Sequence, residues 1–362
     1  MKKKLLFTAY SLDIGGIESA LVNLLNYIDY DKYKVCLVLE KMSGDLLKKV
    51  NKNVQISEFR VSNNKNIIFR KAINLIHQLS FFLKNYHKYD FSCCYATYSF
   101  SCNKLARLAS KNNSIYVHSN YRQLYDENSF KNFFDKRNIN KFKTIFFVSN
   151  ESRTDFLEIY SALADRSVVI NNFVDVKSIK EKSLEKITLK KKKCETLFVY
   201  VGRLDDTSKK LGRAINLIDK IDNTKLLIVG SGPDDIKYRN LVKQKSLLDR
   251  VIFVGRRTNP YPYMLQADYI ILTSDYEGFP VTYLEAIVLE KRIITTIDVS
   301  DDKINMGKDY AEIVSKDEDI MVKEVKTILE KPRKIKKIDL ALIQKERSKE
   351  LEKYFDGGDI DD

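Results

Sequence analysis

Short apolar runs rich in β-branched residues alternate along this chain with longer segments whose apolar residues recur at helical spacing. "KLLFTAY" leads into Gly15-Gly16 and the helical "ESALVNLLNYI"; "YKVCLVLE", "FSCCYATY", "SIYVHSN" and "KTIFFVSN" follow, the last before the helical "ESRTDFLEIY". After "SVVINNFVD" a lysine-dense stretch, "VKSIKEKSLEKITLKKKKCE", breaks the pattern, and a second series begins with "TLFVYVGR", "KLLIVGSG", "RVIFVGR", "YIILTSD" and "RIITTID". Strands alternating with helices imply a parallel sheet covered by helices on both faces. Two such series imply two Rossmann-like domains facing a cleft. Ligands of such sheets gather outside the carboxyl ends of the strands, where the glycine-rich turns of this sequence fall. The expected division is an N-terminal domain over 1–172, a linker over 173–194, a second domain over 195–335, and a C-terminal helix and tail over 336–362. "KIKKIDLALIQKERSKELEKYF" reads as a charged amphipathic helix and "DGGDIDD" as a frayed end.

A length of 362 residues suits two domains. Lys and Arg outnumber Asp and Glu by 63 to 49, a formal net charge of +14 that favours an anionic partner. Nucleic acid is not the expected one, because the lysines are spread out rather than gathered with aromatics and no reading module is visible. The five cysteines (Cys36, Cys93, Cys94, Cys102 and Cys194) are odd in number and form no CxxC pair, which indicates reduced thiols in a cytosolic protein. His77, His87 and His118 are scattered, so no metal cluster is expected. "MKKKLLFTAY" imitates a signal peptide, but its apolar run is short and reads as a first buried strand. No stretch approaches the roughly 18 apolar residues that a membrane span needs.

Three loops at strand ends carry the chemistry. "VYVGRLDDTSKK" offers Gly202, Arg203, Lys209 and Lys210, cations able to grip a diphosphate from two sides, or simply solvated surface charges. "IVGSGPDD" places Gly230 and Gly232 after the next strand, where glycine allows close approach to a ligand or makes a tight turn. "YEGFPVTYLEA" sets Glu277 before a turn and Glu285 about one and a half turns into a helix that starts at Pro280 and runs through Glu290. Two carboxylates so placed can each accept hydrogen bonds from a vicinal diol, and the amides of Gly278 and Phe279 can face an oxyanion. The plainer reading is an acidic first turn meeting the helix dipole. "DDT" at 205–207 and Asp234-Asp235 read as turn acids rather than metal ligands.

"EGFPVTYLEA" resembles the E-x7-E motif of retaining glycosyltransferases of the GT-B fold, family 4 in particular. Other segments match in order: "GGIESALVNL" is similar to that family's first glycine loop, "VHSN" to its histidine after a strand, and "FVSNESRTDF" to the segment before its second domain. "VINNFVD" resembles its domain-crossing segment, "VGRLDDTSKKL" its diphosphate clamp and "LLIVGSGP" its glycine-rich strand end. The resemblance runs from about Lys4 to about Ser315. It implies a GT-B enzyme whose C-terminal helix packs back toward the N-terminal domain. Glu277 would lie by the donor sugar, with the amides of Gly278 and Phe279 near its hydroxyls or the phosphates, and Glu285 would bind the ribose. Arg203 and Lys209 would neutralise the diphosphate in place of a divalent metal, so no metal or other cofactor is implied. Gly15 and Gly16 would admit donor phosphates or the acceptor, Gly230 would lie by the donor, and His118 would stand near the transferred sugar. The family usually reads Lys-Gly inside the clamp, where this chain has Lys209-Lys210; Lys209 fits the spacing best, and Lys210 is the alternative.

The implied reaction moves a hexose from a UDP- or GDP-linked donor to a glycan or lipid-linked acceptor in bacterial surface polysaccharide or glycolipid synthesis, with retention of configuration. A catalytically silent sugar-nucleotide or partner-binding protein, and an epimerase or phosphorylase of the same fold, are the competing readings. "NKNIIFRKAINLIHQLSFFLKNYHK", residues 64–88, has helical apolar spacing among Lys65, Arg70, Lys71, Lys84 and Lys88. The simpler expectation packs it on its own sheet; the other lays it on an anionic membrane, with the protein peripheral on the inner face of the plasma membrane.

Overall fold

The computed structural model describes residues 1–59, 62–188, 195–301 and 303–358, so Cys194 and the last residues of the expected frayed end lie outside it. The chain divides into two compact units, Met1–Val174 with Leu342–Asp362, and Asp175–Ala341.

The first unit is built on a parallel sheet of β1 (Lys3–Ala9), β2 (Tyr33–Leu39), β3 (Gln55–Glu58), β4 (Phe91–Cys94), β5 (Asn113–Val117), β6 (Thr144–Phe147) and β7 (Ser167–Val169). Their spatial order is β3-β2-β1-β4-β5-β6-β7. Continuous burial along β4, β5 and β6 follows from apolar residues facing helices on both sides of the sheet. Between the strands lie α1 (Gly16–Tyr27), α2 (Ile67–Asn85), α3 (Phe100–Ala109), α4 (Glu127–Asp135) and α5 (Asn150–Leu157). Ser99, Asp126 and Ser149 cap α3, α4 and α5, each side chain accepting a hydrogen bond from a backbone N–H of the first turn. Chain order reverses between β1 and β4, and a ligand crevice is expected there. Gly15 follows β1, Tyr95 follows β4 and His118 follows β5, all at the carboxyl edge.

The second unit opens with α6 (Val176–Ser183), capped by Asp175 and anchored by buried Ile179. Within the stretch 173–194, expected as linker, residues 173–174 close the first unit and a helix of the second follows at once. The sheet comprises β8 (Thr196–Val201), β9 (Thr224–Val229), β10 (Val251–Gly255), β11 (Tyr269–Leu272), β12 (Arg292–Thr295) and β13 (Ala311–Ile313), all parallel, in the order β10-β9-β8-β11-β12-β13. Its helices are α7 (Leu211–Lys220), α8 (Asp235–Gln244), α9 (Tyr261–Gln266), α10 (Val281–Val288) and α11 (Glu318–Glu330). Here the order reverses between β8 and β11. The loops leaving those two strands carry Gly202–Lys210 and Thr273–Pro280.

The final helix, α12 (Leu340–Phe355), returns to the first unit. Phe355 is buried among Phe91, Tyr33 and Phe7, with ring centroids 4.8, 5.4 and 6.2 Å away, and Tyr354 meets Phe146 edge-on at 5.2 Å. Burying a side chain such as Phe355 contributes about 2–3 kcal/mol. Glu352 pairs with Lys32 at 3.0 Å and Asp356 with Lys3 at 2.8 Å, fixing the helix end over β1 and β2. The resemblance had implied this docking.

Cys36, Cys93, Cys94 and Cys102 are free thiols, and burial pushes those of Cys93 and Cys102 up to about 12. Among the described residues no helix is long and apolar enough to cross a membrane. Helix α2 departs from the simpler expectation. Phe81 packs edge-on to Phe59 at 5.9 Å, but Ile68, Leu75, Ile76, Leu79 and Leu83 face solvent.

Candidate functional site

The loops after β8 and β11 are stitched to one another. Asp275 N donates to Ser208 O at 2.8 Å, and Thr273 Oγ1 to Lys210 O at 2.9 Å. Arg213, one turn into α7, donates through Nη1 to Thr273 O at 3.1 Å and to Asp275 Oδ1 at 2.6 Å. This frame places Lys209 Nζ 2.5 Å from Glu277 Oε1, which also accepts from Ser274 Oγ at 2.6 Å. The side chains of Lys209 and Glu277 are 23% and 11% exposed, a half-buried pair that solvent screens only weakly. Arg203 reaches outward, its Nη2 2.6 Å from Asp205 Oδ2 and its side chain 66% exposed. Tyr276 joins the group: burial raises its hydroxyl pKa, and the charges of Asp205, Glu277 and Arg203 all act on it. Lys209, Ser274 and Glu277 are thus in direct contact at the switch point of this sheet, and Arg203 stands on the loop that carries Lys209.

Glu285 projects from α10 and accepts a hydrogen bond from the Tyr261 hydroxyl at 3.2 Å. Burial, then the charge of Glu285, pushes that phenol well above its ordinary range. Gly278 and Phe279 are buried, the Phe279 ring lying edge-on to Tyr283. Pro280 occupies the N-cap rather than the first turn, with φ −62° and ψ 128°. The helix stops at Val288, short of the expected Glu290, which turns left-handed at φ 52°. The glycine at 230 has a local cause: a Cβ there would lie 1.9 Å from Gly202 O, because the loops after β8 and β9 touch backbone to backbone. Asp206 accepts from Lys237 and Tyr238, and Asp234 from the Asp206 N–H, so these acids do hold turns.

Lys209 and Lys210 take different carboxylates of the loop after β11. Lys210 takes φ 47° and ψ 43° at the N-cap of α7, a left-handed conformation natural to the glycine that commonly stands there in the family the clamp resembles. Its ammonium lies 3.7 Å from Asp275. Lys210→Gly is expected to stabilise the fold by about 1 kcal/mol, a rise of about 2–4 °C in thermal midpoint, with nucleotide affinity within about twofold. A fall in midpoint would contradict the strain argument.

In the first unit, His118 is 8% exposed, its ring stacked on Tyr116 at 4.8 Å and tilted against Tyr95 at 4.3 Å. Neither ring nitrogen makes a hydrogen bond; the Tyr95 backbone and the Asn172 side chain lie near enough to act on the imidazole but outside bonding geometry. Burial brings its pKa down to about 3, so the ring is neutral. The Tyr95 hydroxyl and the side-chain amide of Asn171 are also buried without hydrogen-bond partners. Gly15 caps α1 in extended conformation, and a Cβ on it would meet Glu18 Oε2 at 2.3 Å, whereas the space around Gly16 is open. Burial raises the pKa of Glu18, with Asp13 nearby adding to the rise. Sequence reasoning missed Ser274, Tyr276 and Glu18; the position of Ser274 three residues before Glu277 was the available signal. Among the described residues no group of three or more His, Cys, Asp or Glu is placed to hold a metal ion.

Residues 181–348 match the family model described as glycosyl transferases group 1. They form a glycosyl transferases group 1 domain. A Campylobacter jejuni N-acetylgalactosamine-N,N'-diacetylbacillosaminyl-diphospho-undecaprenol 4-alpha-N-acetylgalactosaminyltransferase is 28% identical over 179 residues, 49% of this chain and 48% of that protein. The lipopolysaccharide 1,6-galactosyltransferase of Escherichia coli is 33% identical over 98 residues, 25% of this chain and 27% of that one. The chain thus spans about half the length, or less, of these relatives. Anabaena HepE, solved with UDP-glucose, superposes with a TM-score of 0.74 over 97% of this chain and 99% of its own at 15% identity. The group 1 domain and the unit before it therefore share the GT-B fold, two parallel-sheet α/β domains. Within the group 1 domain lie Arg203, Lys209, Glu277 and Glu285, all on elements that leave the carboxyl edge of its sheet.

Proposed function

We propose that this chain is a retaining, metal-independent hexosyltransferase that moves a sugar from a nucleoside diphosphate donor to a glycan or lipid-linked acceptor of a bacterial surface polysaccharide or glycolipid. The observation that carries this reading is the Lys209–Glu277–Ser274 contact beside Arg203 at the β8/β11 switch point. Lys209 and Arg203 neutralise the diphosphate as it departs, and the half-buried setting of Lys209 strengthens its share. Glu277 fixes Lys209 through Oε1 and turns its other oxygen to a donor hydroxyl. Glu285 takes the ribose diol, with Tyr261 keeping its carboxylate oriented. The amides of Gly278 and Phe279 lie by the donor hydroxyls or phosphates, and Gly230 lets the neighbouring loop come close. UDP is the favoured carrier, since the HepE structure holds UDP-glucose.

The acceptor hydroxyl attacks from the face that the diphosphate leaves, and its proton passes to a donor phosphate oxygen, so no enzymic nucleophile is required. His118, neutral in the working range, holds a sugar hydroxyl rather than supplying a proton. The unpartnered polar atoms of Tyr95 and Asn171 support a hydroxyl-rich ligand nearby, since burying such groups unsatisfied costs about 1–3 kcal/mol each. Glu18 and Asp13 beside Gly15-Gly16 place negative charge at the start of α1, which favours an acceptor there over donor phosphates. Peripheral contact with an anionic membrane brings the enzyme to a lipid-linked acceptor; the Campylobacter relative's name specifies a diphospho-undecaprenol substrate.

The test is a thermal-shift panel of UDP, GDP and their sugars in EDTA. UDP or a UDP-sugar at a hundred times its Kd should raise the midpoint by about 5–10 °C. No shift with any nucleotide, or shifts only after a divalent metal is restored, would overturn the reading.

A further inference from the structure

Helix α2 is turned inside out. At 100° per residue, Ile68, Phe69, Leu75, Ile76, Leu79 and Leu83 fall within an arc of about 120°, and they are 74, 62, 56, 62, 53 and 81% exposed. The opposite side, which meets the rest of the unit, is the more polar one. Asn74 Oδ1 accepts from Ser62 N at 2.7 Å, and Asn85 donates back to Phe81 O at 3.1 Å. A helix whose apolar stripe faces water lacks the usual driving force for its own formation, and a contiguous patch of this kind marks an interaction surface.

Charge identifies the occupant. From Phe59 to Tyr89 the sequence has no Asp or Glu, while Lys71 and Lys84 flank the stripe and Lys65 and Lys88 stand just beyond the two ends of the helix. A second copy would bring two sets of like charges together, whereas an anionic lipid surface offers hydrocarbon to the stripe and phosphate to the lysines. We infer that α2 is an interfacial helix that lies in the headgroup layer of an anionic bilayer, its axis in the membrane plane and Leu79 near the centre of the inserted face. This does not rest on the sugar-transfer reading, although it deepens it by holding the enzyme where a lipid-linked acceptor resides.

The chain contains no tryptophan, so a single one reports cleanly. Leu79→Trp should shift its emission to the blue on titration with phosphatidylglycerol-containing vesicles at low salt, and not with phosphatidylcholine alone. Leu248→Trp, at a position 67% exposed in the second unit, should show no shift. In the Leu79→Trp background, Lys84→Gln should weaken vesicle binding about fivefold, and Leu83→Glu at least tenfold. Nucleotide-induced thermal shifts should be unchanged in both variants, which separates a failed docking surface from a failed donor site. No blue shift on anionic vesicles, an equal shift on phosphatidylcholine, or a shift that grows with protein concentration without lipid would each overturn the assignment, the last in favour of self-association.

Discussion

Lys209→Ala is expected to lower kcat for sugar transfer by about 10²–10³-fold, while Lys210→Ala stays within about threefold of the parent. The difference follows from geometry rather than from charge count. Lys209 is drawn into the acidic loop, 2.5 Å from Glu277 and 23% exposed, so in the proposed reaction water is a poor substitute for it as counter-charge. Lys210 is turned toward Asp275 and sits in more open surroundings. Removing Lys209 also leaves Glu277 with one fewer charged donor, at a cost of about 1–2 kcal/mol in stability, so melts must accompany the assay. Lys209→Ala together with Glu277→Ala should be little slower than either alone, because the two act as a unit. Undiminished turnover in Lys209→Ala, with the fold intact by circular dichroism, would remove the site assignment altogether.

The second large effect is on acid stability. The His118 imidazole takes up a proton near pH 3 in the folded chain, because burial disfavours the charged form, and near 6.5 when unfolded. Between those values the unfolded state binds the extra proton. The contribution is therefore complete above pH 6.5 and is lost as pH falls toward 3. Between pH 8 and pH 4.5 the parent should lose about 3 kcal/mol through this group, and His118→Asn should lose that much less over the same interval. Urea unfolding of both proteins at the two pH values reads the difference directly. Parallel losses would mean that the ring is hydrated or paired rather than buried and neutral.

Much of the architecture was legible because central strands such as "TLFVYV" and "KTIFF" are dominated by β-branched and aromatic residues. Two edge strands, β3 and β13, were not. "QISE" and "AEI" are short and polar, since an edge needs only one neighbour and its residues face water. Arg203, Lys209 and Glu277 could be picked out because charged residues in loops after strands are conspicuous, and Glu285 by its spacing from Glu277 and the motif the pair resembles. Ser274 was overlooked because only its spacing from Glu277 marks it, and the left-handed turn at Lys210 was hidden by the absence of glycine. For α2, periodicity revealed a stripe but could not say which way it faced. That depends on what else covers the sheet, which no local pattern contains.

The return of α12 to the first unit makes the second an insertion in topological terms, entered between Val174 and Asp175 and left between Ala341 and Leu342. No single cleavage can then release two self-sufficient pieces. Severing the chain at Asp175 would strip the sheet face around Phe7 and Phe91 of Phe355, whose codon lies far downstream. Exchange of the second unit between proteins of this fold, whether by recombination or by design, must therefore replace an internal cassette with two joints instead of swapping tails.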